Sequence, residues 1–353
     1  MPMRYRVLAA TAVMAVVLAA VPRAKEPACE FTGVTRVVAV GDVHGAYDAL
    51  LSILRTAGLI DDRQRWVGGK TQLVQVGDML DRGADSRKVL DFYRKLEKDA
   101  ASAGGRVHVL LGNHEVMRMT SDFRYVTPAE YAAFANSSSA ALRASFVEGA
   151  PDPDVKAHFA SMPLGGIEML RAFGSKEPYG AYLRTLNAVV RINGVLFVHG
   201  GISPSVASMT CGAINQQIRK ELTTDLATTL ATPEKTLSRR EDGPLWYRGL
   251  AMAPETEAYG LQVDAMLAAQ KATAIVMAHT PQVDGRILVR HDGRVFVIDT
   301  GMQATYVATG RPSALEFANG AFTAIYLDGR QPPQPPPSPP ITNAGAPAAA
   351  SVP

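Results

Sequence analysis

The chain has 353 residues, 47% of them hydrophobic, enough for a sizeable core in one large domain or two smaller ones. Its formal charge is +3, but removal of residues 1–24 would take away Arg4, Arg6 and Arg23 and no acid, leaving zero. Charge therefore excludes nucleic acid as an expected partner.

Residues 1–24 read as a secretory signal. Arg4 and Arg6 precede an uncharged apolar stretch from Val7 to Val21, with small residues at Ala19, Ala20 and Ala24. At about 15 residues the stretch is marginal for crossing a bilayer, and an uncleaved anchor is the alternative. The expectation is an exported protein, periplasmic or secreted, free of the membrane after cleavage. Cys29 and Cys211 are the two cysteines; after export they either pair or remain partly buried thiols.

A folded region is expected from Thr35 to Gly329. Strands rich in Val, Ile and Leu are expected at Thr35–Val40, Gln72–Val76, Val107–Leu111, Ala188–Ile192, Val195–Val198, Ala274–Ala278, Ile287–Arg290, Val295–Ile298 and Phe322–Leu327. Asn193-Gly194, Asp292-Gly293 and Asn319-Gly320 signal tight hairpins. Helices are expected over Tyr47–Ala57, stopped by Gly58, over Ser86–Ala101, and from the capping sequence Thr127-Pro128-Ala129-Glu130 toward Arg143. Residues 116–186, with a break at Pro151-Asp152-Pro153-Asp154, read as a helical cap inserted over the site. Residues 330–353 are rich in Pro and Ala and read as a disordered or extended tail. Strand–helix alternation followed by hairpins gives an α/β class (α+β type), with two packed mixed β-sheets flanked by helices.

Four short phrases follow directly on apolar runs: Gly41-Asp42-Val43-His44-Gly45, Gly77-Asp78-Met79-Leu80-Asp81-Arg82-Gly83, Gly112-Asn113-His114-Glu115 and His199-Gly200-Gly201. Ala278-His279-Thr280 adds a fifth. Of seven histidines, His44, His114, His199 and His279 lie in these loops, which separates them from His108, His158 and His291. Asp, His and Asn at several strand ends suit a pair of divalent ions bridged by a carboxylate, with imidazole and carboxylate ligands favouring Mn, Fe or Zn. Such a centre would polarise a phosphoryl oxygen and generate hydroxide from bound water near neutral pH. An Arg would clamp the phosphate through its planar fork.

These phrases resemble the signature set of the phosphoprotein phosphatases, within the calcineurin-like metallophosphoesterases, over about residues 36–300. The resemblance implies a two-sheet metallophosphoesterase sandwich with a binuclear metal centre. Asp42 and His44 would bind the first ion, Asp78 would bridge both, and Asn113, His199 and His279 would bind the second. His114 would protonate the leaving oxygen, oriented by Asp81, and Arg82 would hold the phosphate together with Asn113. A second phosphate-binding Arg is expected between the fourth and fifth phrases; Arg248 is the best local candidate, with Arg239 and Arg240 as rivals. Asp299-Thr300-Gly301-Met302 follows a strand and is a further candidate for lining the site.

The family usually has Gly where Ala278 stands, and the Ser-Ala-Pro-Asn-Tyr stretch of eukaryotic serine/threonine phosphatases is absent. The long insert, the export signal and the Asp-Thr-Gly-Met phrase look like the Shewanella-like, bacterial-type branch. The implied activity is a metal-dependent phosphomonoesterase acting on phosphorylated protein or peptide, at phosphotyrosine or at phosphoserine and phosphothreonine. A diadenosine polyphosphate hydrolase on the same metals is the alternative. A catalytically silent binding protein would have lost a ligand or the acid, and none is missing. A cysteine-based phosphatase would need an Arg at position 217, where Gln217 stands.

Overall fold

The structure, a computed structural model, describes residues 27–333. The expected signal at 1–24 and residues 334–353 of the expected tail lie outside the described residues. The strands are β1 (Glu30–Phe31), β2 (Arg36–Val40), β3 (Gln72–Gln75), β4 (Arg106–Val109), β5 (Val189–Ile192), β6 (Val195–Val198), β7 (Ala274–Met277), β8 (Leu288–Arg290), β9 (Val295–Val297), β10 (Ser313–Ala318), β11 (Ala321–Tyr326) and β12 (Gly329–Gln331). They form two six-stranded sheets, ordered β12-β11-β10-β2-β3-β4 and β1-β5-β6-β7-β9-β8. β2, β3 and β4 are parallel, as are β6, β7 and β9; antiparallel hairpins form one side of each sheet, β10–β11–β12 and β8–β9, while the opposite edges β4 and β1 pair in parallel.

The central strands β6 (Val-Leu-Phe-Val) and β7 (Ala-Ile-Val-Met) read as unbroken apolar runs because both faces are covered. In β2, Val37 and Ala39 face the layer between the sheets, where Val74, Val190, Phe197, Val276 and Leu315 meet them. Val38 and Val40 turn outward, onto a core shared with helices α1 (Tyr47–Thr56) and α2 (Ser86–Ser102). The three hairpin turns form where expected: Asn193, Asp292 and Asn319, each followed by Gly, take left-handed backbone at φ 51, 54 and 52.

Three expectations need correction. The helix opened by Thr127 stops early, as α4 (Pro128–Ala132), after a short α3 (Asn113–Met119). Thr127 and Glu130 do form the reciprocal cap, but Asn136 and Ser139 then bond to local backbone and restart the chain as α5 (Ser139–Glu148). The strand β10 was not anticipated; Ser-Ala-Leu-Glu-Phe-Ala has weak strand propensity, yet the Asn319-Gly320 turn requires a second arm, and β10 supplies it against β2 and β11. The tail was placed from 330, whereas Arg330 and Gln331 belong to β12.

The insert continues through α6 (Pro153–Ser161), α7 (Gly166–Ala172) and α8 (Pro178–Leu183). It docks beside α2, through Arg87 to Ala133 O and Tyr179 Oη, Tyr179 to Asp91, and Tyr182 to Glu97. The later helices are α9 (Cys211–Glu221), α10 (Leu226–Ala231), α11 (Gly249–Met252) and α12 (Glu257–Ala269). Cys29 and Cys211 are joined by a disulfide that ties the start of β1 to the start of α9.

Candidate metal centre

Both parallel triplets end at one place. Asp42 and His44 follow β2, Asp78 follows β3, and Asn113 and His114 follow β4; His199, His279 and Asp299 follow β6, β7 and β9. Loops beyond the carboxyl ends of parallel strands are where an open α/β sheet gathers ligands. The loops approach closely enough to demand glycine. A Cβ on Gly112 would sit 2.1 Å from Asp78 Oδ1, and one on Gly77, at φ 82, would sit 2.6 Å from Gly112 N.

Two buried triads share Asp78: His44, Asp78 and His114, and Asp78, His199 and His279, with donor atoms in each triad within 4.8 Å of one another. His199 Nε2 lies 3.2 Å from Asp78 Oδ2 and 2.9 Å from Asn113 Oδ1. His44 Nε2 lies 3.7 Å from Asp42 Oδ2 and 3.8 Å from Asp78 Oδ2. Asp42 Oδ1 accepts a bond from His279 N, across 237 residues of sequence. All six expected ligands therefore converge, with Asp78 in the middle.

Backbone carbonyls fix two of the rings: His44 Nδ1 contacts Leu80 O and His199 Nδ1 contacts Val76 O, both at 2.8 Å, leaving each Nε2 directed inward. Burial pushes His44 down to about 4, and burial with the nearby His199 and Arg248 charges pushes His279 well down, so these imidazoles are neutral and free to donate lone pairs. Burial works against the Asp78 carboxylate, but His199, His114 and His44 hold it well below its usual range. Burial, then Asp299 and Asp78, push Asp42 well up; burial also pushes Asp299 up to about 6.

Three buried acids, Asp42, Asp78 and Asp299, crowd together beside His44 and His279, which burial keeps neutral, and this calls for a cation; the buried His279 Nε2 and Asp299 Oδ2 have no hydrogen-bond partner among the described residues. The donor set of imidazole, carboxylate and amide oxygen fits divalent ions. Asp299, for which the sequence suggests a place in the lining and nothing more specific, lines the recess beside Asp42; its signal is the acid immediately after the β9 apolar run.

Of the remaining candidates, His114, Arg82 and Arg248 line the same recess of about 70 Å³, together with Tyr125, Trp246 and Tyr306, while Asp81 is buried behind His114. His114 Nδ1 pairs with Asp81 Oδ2 at 2.7 Å, and its Nε2 faces Asp78 at 3.8 Å. Arg82 is held between the rings of Tyr306, at 3.8 Å, and Tyr125, at 4.5 Å, with a buried and unpartnered Nε. Arg248 lines the recess, bonded to His279 O at 2.6 Å and to Thr280 Oγ1 at 3.2 Å. Its rivals do not line it; Arg240 is engaged by Asp242 and Ser205. From the insert, Tyr125 alone lines the recess, so the helices expected over the site stand to its side.

Residues 35–283 match the calcineurin-like phosphoesterases. The chain belongs to that family. It is 31% identical to Shewanella-like protein phosphatase 2 of Arabidopsis thaliana, over 82% of this chain and 77% of that protein, and 28% identical to Shewanella-like protein phosphatase 1 of Plasmodium berghei, over 83% and 74%. A crystal structure of the cold-active protein-tyrosine phosphatase of a psychrophilic Shewanella superposes with a TM-score of 0.70 at 29% identity, covering 88% of this chain and 83% of that one. The family, the Shewanella-like relationship, the two-sheet fold and a phosphoric ester hydrolase activity, all expected from the motif phrases, are borne out.

Proposed function

We propose that the chain is an exported protein phosphatase that cleaves phosphomonoesters of protein or peptide with two divalent ions. Asp42 and His44 would hold one ion, Asn113, His199 and His279 the other, and Asp78, shared by both triads, would serve the two. Mn, Fe and Zn suit this donor set. Such a pair supplies Lewis acidity toward a phosphoryl oxygen and a lowered pKa for water. Arg82 and Arg248, which both line the recess, grip the phosphate oxygens, with the Asn113 amide in the same lining. His114 Nε2 delivers a proton to the leaving oxygen, and Asp81 fixes its ring through Nδ1.

The observation that carries this reading is the pair of triads sharing Asp78, with the Arg82 guanidinium and the His114–Asp81 pair at their edge. A groove of about 460 Å³, lined by Tyr47, Asp48, Asp85, Thr127, Met302 and Gln303, shares Arg82 with the recess and supports a peptide lying beside it. The relatives' names support a phosphoprotein substrate, and the Shewanella enzyme's supports phosphotyrosine. The Cys29–Cys211 bridge supports export, since disulfides persist in oxidising compartments. No helix among the described residues is long and apolar enough to cross a membrane.

The test is turnover of phosphotyrosine, phosphoserine and phosphothreonine peptides, each with Mn, Fe or Zn, beside diadenosine tetraphosphate. Metal-dependent hydrolysis of a peptide is expected. Hydrolysis of the dinucleotide alone overturns the reading in favour of a nucleotide substrate. The first triad also admits His114 as a ligand. Metal content separates the two roles: His114→Asn keeps both ions if His114 is the acid and loses one if it is a ligand.

A further inference from the structure

The acid pair His114–Asp81 does not end at Asp81. Asp81 is fully buried and spends both carboxylate oxygens: Oδ2 on His114 Nδ1 at 2.7 Å, and Oδ1 on Arg118 Nη2. Arg118 is itself buried, and the same Nη2 reaches Glu130 Oε1 at 3.2 Å. Glu130 Oε1 in turn accepts the backbone N–H of Asp81 at 3.2 Å, which closes a ring of three charged side chains.

Glu130 belongs to the insert, in α4. Its Oε2 accepts Thr127 N at 3.1 Å, and Thr127 Oγ1 donates to Gly83 O at 3.2 Å. The neighbouring Arg82 N donates to Tyr125 O at 3.0 Å. Asp81 and Arg82 are consecutive non-glycine residues in left-handed backbone, at φ 67 and 65. Residues 125–130 thus capture both of their N–H groups and hold a conformation that L-residues avoid.

We propose that Arg118 and Glu130 are positioning residues that hold Asp81, and through it His114, in register for proton delivery to the leaving oxygen. The insert acts on the chemistry from the side through this contact. A buried ion triad is a poor device for stability alone, because well-packed apolar residues of similar volume serve as well or better. Its placement on the far oxygen of the acid's partner fits orientation instead. Arg suits the place because its Nη2 carries two N–H groups, one for each carboxylate, and its charge persists when buried.

The inference rests on the phosphomonoesterase reading with His114 as acid, and the test keeps the two apart. Full-length, metal-loaded wild type, His114→Asn, Glu130→Gln, Arg118→Lys and the double variant Arg118→Met/Glu130→Gln are assayed on para-nitrophenyl phosphate, a good leaving group, and phenyl phosphate, a poor one. Metal content and melting are measured in parallel. The double variant is expected to lose about 10-fold or more in kcat on phenyl phosphate, with less than about 3-fold on para-nitrophenyl phosphate and little change in KM, in the direction of His114→Asn. Arg118→Lys, which keeps the charge, is expected to fall between wild type and the double variant. Equal losses on both substrates, or none on either, with His114→Asn still discriminating, overturn the positioning role and leave the acid intact. If the double variant does not fold, the same comparison on the near-isosteric Glu130→Gln decides. A wild type inert toward both esters with every metal overturns the underlying reading instead.

Discussion

Replacing Glu115 by Gln should loosen the fold and the ion site together. Glu115 is fully buried, and its carboxylate accepts three backbone N–H groups: Gly112 at 2.8 Å and Asp78 at 2.9 Å on Oε2, and Met79 at 2.9 Å on Oε1. It therefore clips the loop after β4 to the loop after β3, where Asp78 sits at φ 49. A Gln offers one oxygen. The better flip keeps the two bonds on that side and turns an NH₂ toward Met79 N, leaving one buried donor unsatisfied. Such an orphan costs about 1–3 kcal/mol, and the two surviving bonds lose about 0.5–1 kcal/mol of charge assistance each, so about 2–5 kcal/mol is expected in total. For a fold of about 300 residues this is roughly 3–8 °C in Tm. Glu115→Ala orphans all three donors and should cost about 3–9 kcal/mol by the same reasoning. Thermal unfolding in metal-depleted buffer isolates the term, because bound ions would otherwise stabilise the native state by mass action. A Gln variant that melts within about 1 °C of the parent there would refute the argument that these donors depend on the carboxylate.

Asp78→Asn removes the shared negative ligand and should reduce bound metal from about two ions to one or none per chain, with turnover down at least about 100-fold; two ions by elemental analysis would contradict the bridge. The Cys29–Cys211 bridge closes a separation of 182 residues, so Cys29→Ser/Cys211→Ser should lose about 3–5 kcal/mol. Reductant should lower the parent's Tm and leave the double variant's unchanged; equal response in both would remove the bridge. Burial, and then the charge of Arg106, push His108 down to about 3, so the native state keeps it neutral while the unfolded chain takes up a proton below its ordinary 6.5. Its linked stability is complete above that pH and is lost as pH falls through the window toward 3. His108→Gln should flatten the stability slope between about pH 6.5 and 4 by about 1–2 kcal/mol, discounted for the partly exposed ring. An unchanged denaturation slope would contradict this.

The ligand set was legible because each member carries a local signature. Asp42, Asp78, Asn113, His199 and His279 each come within two residues of an apolar run, and glycines beside all but His279 mark turns tight enough for loops to touch. Arg248 was legible only as one of several basic residues; its bond to His279 O, 31 residues away, separates it from Arg240, and no local pattern contains that contact. Glu115 was visible as part of a phrase but its task was not, since its three acceptor bonds run to two loops. Arg118 and Glu130 resemble an ordinary helix cation and an ordinary cap residue until α4 is placed against Asp81. The helix break after Ala132 and the strand Ser313–Ala318 were hidden for a different reason: side-chain competition for backbone in one case and tertiary pairing in the other overrode local preference.

The site is also where local rules fail together. His44, Asp78, Asp81, Arg82 and His279 all take left-handed backbone, at φ 45, 49, 67, 65 and 67. At about 1–2 kcal/mol each, five such residues cost roughly 5–10 kcal/mol, comparable to the whole stability of many domains. Cross-loop bonds offset this. Val43 N and His44 N both donate to Asp78 O, at 2.9 and 3.0 Å, and Gly45 N donates to Met79 O at 2.9 Å. The first and second phrases are thus one hydrogen-bonded unit, with Glu115 bonding the third to it. Two sheets packed through Val74, Val190, Phe197 and Val276 give that unit a rigid floor. It follows that Asp42 and His44 are oriented by the backbone of Asp78, not only by an ion shared with its side chain. A substitution that moves the Asp78 backbone, such as Glu115→Gln, should therefore disturb Val43 and His44 before any ion binds. Backbone amide signals of Val43 and His44 in the metal-depleted variant, compared with the parent by NMR, test this: unchanged signals would mean that the loops are not mechanically joined.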